Sequence, residues 1–461
     1  MDTRFEEIAA LIHTKREIAS DLLRKDGVIA VGVGYDYRDK NTANKLGVVV
    51  FTDQDKAPSG IVSSFGKDRQ LIVIPIPRPI VRPLPPAPGI MAARDIFFDS
   101  VKPGIQIQAA GSDGVGTLGA IVYRLSDSQP LILSNWHIMA AAGVASGIPI
   151  HQPLVAPGNE IGVLYNAMLG ATRAGWLDAA VAELNDVRPY DPQPYELVPP
   201  PVPAVSPALL GLPVIKTGRT TEVTQGLIGA IDVSIELPYE GVGPVPLERQ
   251  FAIVPDPGFP VPEISEGGDS GSVWLDASNN YAVGLHFAGE GASAPFDVAF
   301  ATPIGHVNRT FDIRFGAVDD VPQIWRWWNG EATDHYYTRT PPGGLPPDIG
   351  WEVENDVFSL FQAPGPGLTL LYEWYNGQII DHFYTTDPSG ELAPANGYEL
   401  SGPIGYICQG PAAGLTELYR WWHPTLYNHF YTADPDGEIA DEIGYVYEGV
   451  VGWVQPLVGF P

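Results

Sequence analysis

The sequence predicts a mainly β protein in which a small N-terminal α/β domain and a C-terminal three-repeat β domain flank a long strand-rich centre. Three observations carry this. One unit recurs three times at a period of 47 within residues 322–461. Residues 91–315 are rich in short apolar runs cut by Gly, Pro and Asn, the pattern of strands ending in turns. Residues 4–24 instead space their apolar side chains at three- and four-residue steps, the period of an amphipathic helix.

Composition bounds the function. A chain of 461 residues, 45% of them hydrophobic, is long enough for about three domains with cores of their own. Its 26 basic and 54 acidic residues give a net charge of −28, which repels phosphate backbones and anionic lipid heads, so neither nucleic acid nor a membrane is expected as a partner. A single cysteine, Cys408, leaves no intrachain disulfide, and the fold must rest on packing. No stretch of 18 apolar residues occurs, and residues 4–24 contain neither a long apolar core nor a small-residue cleavage site. The expectation is a cytoplasmic protein, or one exported without a recognisable signal peptide.

In the N-terminal domain, Phe5, Ile8, Leu11, Ile12, Ile18, Leu22 and Leu23 form the apolar stripe of the helix, with Lys15 and Arg16 among its polar residues. Gly27 ends it. Strands at 28–35, 46–51 and 70–76 complete a domain over 1–77, and a proline-rich linker follows at 78–90. A domain in this position reads either as a propeptide or as a packing accessory.

The central region carries the chemistry. Gly267, Gly268 and Gly271 surround Asp269 and Ser270 in a loop whose glycines admit positive φ and bring backbone N–H groups close to a substrate carbonyl. A serine so placed suits a nucleophile, which needs a base. The apolar run Leu131 to Leu133 leads through Ser134, Asn135 and Trp136 to His137, read as a buried strand ending in a histidine. Asp178 lies among apolar residues in Trp176 to Ala182. Each residue alone has an ordinary structural use; the three together, in this order and within strand-rich sequence, point to acyl transfer.

The motifs around His137, Asp178 and Gly268-Asp269-Ser270-Gly271 resemble those of chymotrypsin-like serine peptidases, particularly bacterial members lacking disulfides, over roughly residues 91–315. The order His, Asp, Ser is theirs. The resemblance implies a double β-barrel, with barrels at about 100–185 and 210–310 joined by the proline-rich segment 187–207. It implies catalytic roles for His137, Asp178 and Ser270, an oxyanion hole at Gly268 and Ser270, a protein or peptide substrate, and no metal or other cofactor. In relatives made as zymogens the counterpart of Asp269 pairs with a new N-terminal amine; in others an internal group satisfies it, and the sequence leaves both open. Lys216 and Arg219, in Val214 to Thr221, read as part of a solvated hairpin.

Specificity follows from the same resemblance. The position that holds an aspartate in the trypsin branch is Ile264, which disfavours Lys or Arg in the pocket. Ser265 and His286 are the candidate substrate-binding residues, the latter within a segment resembling that of glutamyl endopeptidases; Glu266 nearby opposes an acidic substrate.

The last third is internally repetitive. Ile324, Leu371 and Leu418 open the units; His335, His382 and His429 recur within Asp-His-Tyr-Tyr-Thr, Asp-His-Phe-Tyr-Thr and Asn-His-Phe-Tyr-Thr; Gly350-Trp351, Gly397-Tyr398 and Gly444-Tyr445 follow. Units of this kind bury no face singly and must close on one another. Three of them predict a β-trefoil, a propeller needing at least four blades. The segment resembles an uncharacterised His-Phe-Tyr-Thr repeat found attached to microbial peptidases and other secreted or surface proteins. Trp328, Tyr375 and Trp422 are candidate contacts for a carbohydrate or protein ligand, and the repeated histidines read as structural hydrogen-bonding groups. The combined expectation is a serine endopeptidase with a C-terminal targeting domain; the alternative is an inactive peptidase-fold binding protein whose repeats recognise carbohydrate or protein.

Overall fold

The computed structural model describes residues 3–37, 45–56, 71–79, 81, 93–140, 144, 146–172, 174–197, 204–256, 258–259, 263–289, 297–316, 323–345 and 350–456. Of the linker expected at 78–90, only Arg78, Pro79 and Val81 are among them, and residues 198–203 of the proline-rich connection fall outside. The fold is mainly β. Contacts divide it into two compact units, Asp2–Val318 and Asp319–Pro461. Among the described residues no helix is long and apolar enough to cross a membrane.

The first unit has two large sheets. One is eight-stranded; its core gathers Ile105, Ile107, Leu118, Ile132, Ile161 and Ala180. In the other, Pro213–Gly218 pairs both with Val273–Asp276 and with Glu222–Tyr239, which closes six strands into a ring. The outer edge of that ring is not left bare. The segment expected as a domain at 1–77 adds three strands to it: β1 (Val28–Tyr35) pairs antiparallel with Glu222–Tyr239, β2 (Leu46–Asp53) with β1, and β3 (Leu71–Ile76) parallel with β2.

Helix α1 (Thr3–Leu23) covers this extension, with Ile18, Ala19 and Leu22 packed on Val31, Val48, Val50 and Leu71. Its polar side is not all solvated. Lys15, read from sequence as a polar-face residue, is 2% exposed and reaches Asp232 at 3.4 Å and Ser234 Oγ at 2.5 Å. Arg16 holds the same carboxylate at 3.0 and 3.2 Å. Asp232 sits at φ +49 where the strand pairing slips register. Two cations thus fix a bulged, left-handed residue, and their charges outweigh burial to hold its carboxyl well below the usual range.

The second unit is built on three strand pairs in one register, with Trp325 opposite Thr338, Tyr372 opposite Thr385 and Tyr419 opposite Thr432. Ile324, Leu371 and Leu418 are core residues. Tyr337, Tyr384 and Tyr431 meet edge to face, centroids 5.3–5.5 Å apart. Each hydroxyl donates to the backbone carbonyl of one neighbouring tyrosine and accepts the backbone N–H of that same tyrosine, at 2.7–3.1 Å. No buried hydroxyl is left unpaired in this triangle. Gly350, Gly397 and Gly444 all have left-handed φ, +81, +84 and +101, so the glycine of each glycine-aromatic pair is set by backbone geometry.

Candidate active site

His137 follows the strand Pro130–Ser134 on a short helical turn, Trp136–Met139, and not at the strand's own end as expected. Asp178 lies on Gly175–Leu184 and is fully buried. Two bonds join them: the His137 backbone N–H donates to Asp178 Oδ1 at 3.2 Å, and Nδ1 meets Oδ2 at 2.5 Å. With Nδ1–H donating to the carboxylate, Nε2 is left as the acceptor of the ring. Nε2 has no partner among the described residues.

A third group completes this arrangement, and no sequence motif pointed to it. Tyr239 donates its hydroxyl to Asp178 Oδ2 at 2.9 Å, and its ring lies 6.2 Å from that of His137. Burial and the adjacent carboxylate push the phenol well above its ordinary value, so it stays a donor. Asn135 Nδ2 donates to the Asp178 carbonyl at 2.7 Å. Tyr239→Phe should lower kcat by about 10- to 100-fold with KM unchanged, the worth of one hydrogen bond to a charged group; steady-state kinetics on a short peptide would measure it, and a rise in KM alone would contradict a positioning role.

Ser270 is 7% exposed, in a loop tied to both sheets. Thr117 N–H donates to Ser270 O at 2.9 Å, Thr117 Oγ1 to Gly268 O at 2.8 Å, and Gly271 N–H to His286 O at 3.0 Å. Gly268 and Gly271 take φ +101 and +93, whereas Gly267 does not take positive φ. A Cβ on Gly271 would come within 2.1 Å of Ser134 Oγ, which brings the serine loop against the strand that leads to His137. The N–H groups of Asp269, Gly271 and Ser272 are taken by carbonyls. Those of Gly268 and Ser270 have no protein acceptor among the described residues.

Asp269 is satisfied from within. Lys216 pairs with it at 3.1 Å, both side chains fully buried, while Thr221 Oγ1 (2.6 Å) and the N–H groups of Thr220, Thr221 and Glu266 complete its shell. Burial would raise the carboxyl, but the Lys216 charge and these donors hold it down to about 2. This corrects the solvated-hairpin reading: Lys216 is fully buried, and Arg219, 7% exposed, forks onto Asp95 at 3.0 and 2.8 Å. For Lys216 the signal that points inward is its place in a strand paired on two sides, after Val214 and Ile215; Arg219 follows the strand's end and carries no such signal.

The candidate substrate-binding residues lie together. Ser265 and His286 are buried, and neither Ser265 Oγ nor His286 Nδ1 has a partner among the described residues. Both adjoin Gly289, where a Cβ would fall 2.4 Å from Ser265 Oγ and 3.7 Å from His286 Cε1. Burial and then the Lys216 charge push His286 down to about 3, so it is neutral near pH 7. Sequence reasoning missed Asp297, which accepts the Ile264 N–H and is pushed up to about 7, by burial first and then by Glu263 and Glu266 against the pull of that N–H and of Lys216.

Residues 322–455 match the model of a domain of unknown function, DUF5648. No curated protein matches the chain. Among solved structures it is similar to Protease A of Thermobifida fusca, at 18% identity and TM-score 0.35 over 47% of this chain and 98% of that one. It is also similar to a chymotrypsin of Cellulomonas bogoriensis, at 19% identity and TM-score 0.34 over 48% and 100%. A third is a glutamic acid specific serine protease, at 19% identity and TM-score 0.34 over 46% and 98%.

Proposed function

We propose that the chain is a serine endopeptidase of double-barrel, chymotrypsin-like fold, with a three-repeat C-terminal unit of β-trefoil type that docks it to a target. The observation that carries this is the 2.5 Å contact between His137 Nδ1 and buried Asp178, which leaves a buried, unpartnered Nε2 as the base. Ser270 Oγ attacks the scissile carbonyl as Nε2 takes its proton; the imidazolium, stabilised by Asp178, then protonates the leaving amine. The free N–H groups of Gly268 and Ser270 receive the oxyanion. Water hydrolyses the acyl-enzyme by the reverse proton path. Nε2 forms no hydrogen bond to Ser270 Oγ, a contact of the kind that tightens when substrate binds. A fluorophosphonate should label the wild type and not Ser270→Ala. Equal labelling of both would return the unit to the inactive-scaffold alternative.

For specificity we favour acidic or small residues before the cleaved bond. Ile264 gives a buried cation no partner, while Ser265 Oγ and His286 Nδ1 are buried and unpartnered among the described residues, so a hydrogen-bonding side chain would satisfy them. Asp297 sets the pH dependence. Below about pH 7 it is neutral and tolerates an acidic substrate; above, its charge opposes one. Profiling a peptide library at pH 6 and pH 8.5 should find Glu preferred more strongly at pH 6, and Asp297→Asn should flatten the difference. A profile dominated by Lys and Arg would sink this specificity. Because β1 to β3 share the sheet of the closed ring, residues 1–77 serve as a structural partner of the peptidase in this reading.

A further inference from the structure

At two of the three junctions between repeats the same set of side chains recurs. Between the second and third, Arg420 lies over Phe383, 4.9 Å from its centroid, held by Glu391 at 2.9 and 3.1 Å and by Glu448 at 2.8 Å. His429 stacks between Trp422 (4.5 Å) and Phe383 (4.9 Å), with Nδ1 on Asp381 at 2.6 Å. Between the third and first, Arg326 lies over Phe430 at 4.8 Å, held by Glu438 at 2.8 and 3.0 Å and Glu354 at 2.7 Å. There His335 stacks between Trp328 and Phe430. The first–second junction keeps the stacked histidine, His382 between Tyr375 and Tyr336. It has lost the arginine and both of its glutamate partners: by the same period Glu373 stands for the arginine, and Gly344 and Ser401 stand for the two glutamates.

The second–third junction opens into a cavity of about 530 Å³, within the ~300–1,000 Å³ usual for small-molecule sites. One wall is aromatic, with half-buried Trp422 and, 6.2 Å from it at 64°, Tyr427, which is 54% exposed. Glu391, Glu448 and Gln378 also line it. Arg420 is already matched by two carboxylates, so an anion finds no free cation, while the carboxylates remain strong acceptors. A flat apolar face beside acceptors fits a ring that is apolar on one side and bears hydroxyls at its edge.

We propose that this cleft binds a neutral saccharide, that the third–first junction is a second such site, and that the first–second junction is not one. The inference rests on the docking role assigned to the C-terminal unit and names its ligand. Two sites on one rigid unit favour a repeating polymer over a single sugar, through effective concentration.

The full chain carrying Ser270→Ala would be titrated calorimetrically with cellohexaose, chitohexaose and mannohexaose, and with oligogalacturonate as the anionic counterpart. At least one neutral hexasaccharide should bind with two sites per chain. Trp422→Ala and Tyr427→Ala should each weaken one of the two by about tenfold or more, the exposed Tyr427 leaving the fold intact. Arg326→Met should weaken the other. Binding of no neutral saccharide, stronger binding of the oligogalacturonate, or a Tyr427→Ala protein that binds as wild type would overturn the proposal. If the same chain captures a native protein substrate while every saccharide is silent, docking stands and the saccharide site falls; if neither binds, both fall.

Discussion

Ser270→Ala and His137→Ala should each lower kcat by about 10⁶-fold, and the double variant by no more than either, because a nucleophile and its base act as one unit. The geometry gives the reason. Nε2 is the ring atom of His137 left free to take a proton, and without it Ser270 keeps its own; without Ser270 there is no oxygen to activate. Asp178→Ala should cost less, about 10⁴-fold, since the imidazole persists but loses both the bond at 3.2 Å and that at 2.5 Å. Burst kinetics on an activated ester, with circular dichroism to check folding, would measure these losses. An Asp178→Ala enzyme as fast as wild type would mean that the third member is misassigned.

Lys216→Met should destabilise the first unit by about 3–5 kcal/mol, since it strips a fully buried carboxylate of its paired cation. For a unit of this size that lowers Tm by roughly 6–20 °C. Activity should fall further than stability, because Asp269 anchors the loop that carries Gly268 and Ser270. Adding Asp269→Asn to Lys216→Met should restore much of the stability, which a lone loss of packing would not predict. The pH dependence has a definite sign. A carboxyl held down to about 2 from 3.8 contributes stability that is fully present above pH 4 and is lost as pH falls towards 2. The wild type should lose more stability over that window than the double variant.

What was legible in the sequence was local. The glycines around Ser270, the histidine after an apolar run and the buried aspartate are each written in a few contiguous residues, and the 47-residue period shows because identical markers recur. What was not legible depends on partners far along the chain. Tyr239 ends a long strand 61 residues after Asp178 and belongs to no motif. Lys216 and Arg219 looked solvated because their carboxylates, 53 residues on and 124 residues back, cannot be read from a hairpin. In the repeats, the adjacent pairs Asp334-His335 and Asp381-His382 suggest neighbours bonded to each other. The structure pairs Asp334 with His382 and Asp381 with His429, at a separation of 48, so these two histidines are held by the repeat before, while His335 is held by Asn428 of the third repeat. That offset makes one repeat incomplete without the next, and it is invisible to any reading of a single unit.

The extension of the closed ring by β1 to β3 also orders events during synthesis. Lys15 meets Asp232, 217 residues later, and β1 finds its second strand partner, Glu222–Tyr239, only when that stretch has left the ribosome. Until then β1 is an apolar strand with one edge open. Contacts at such separation are slow to form and leave early segments exposed to wrong pairing. Residues 28–35 are thus translated well before the closed ring that pairs them exists, and must wait for it.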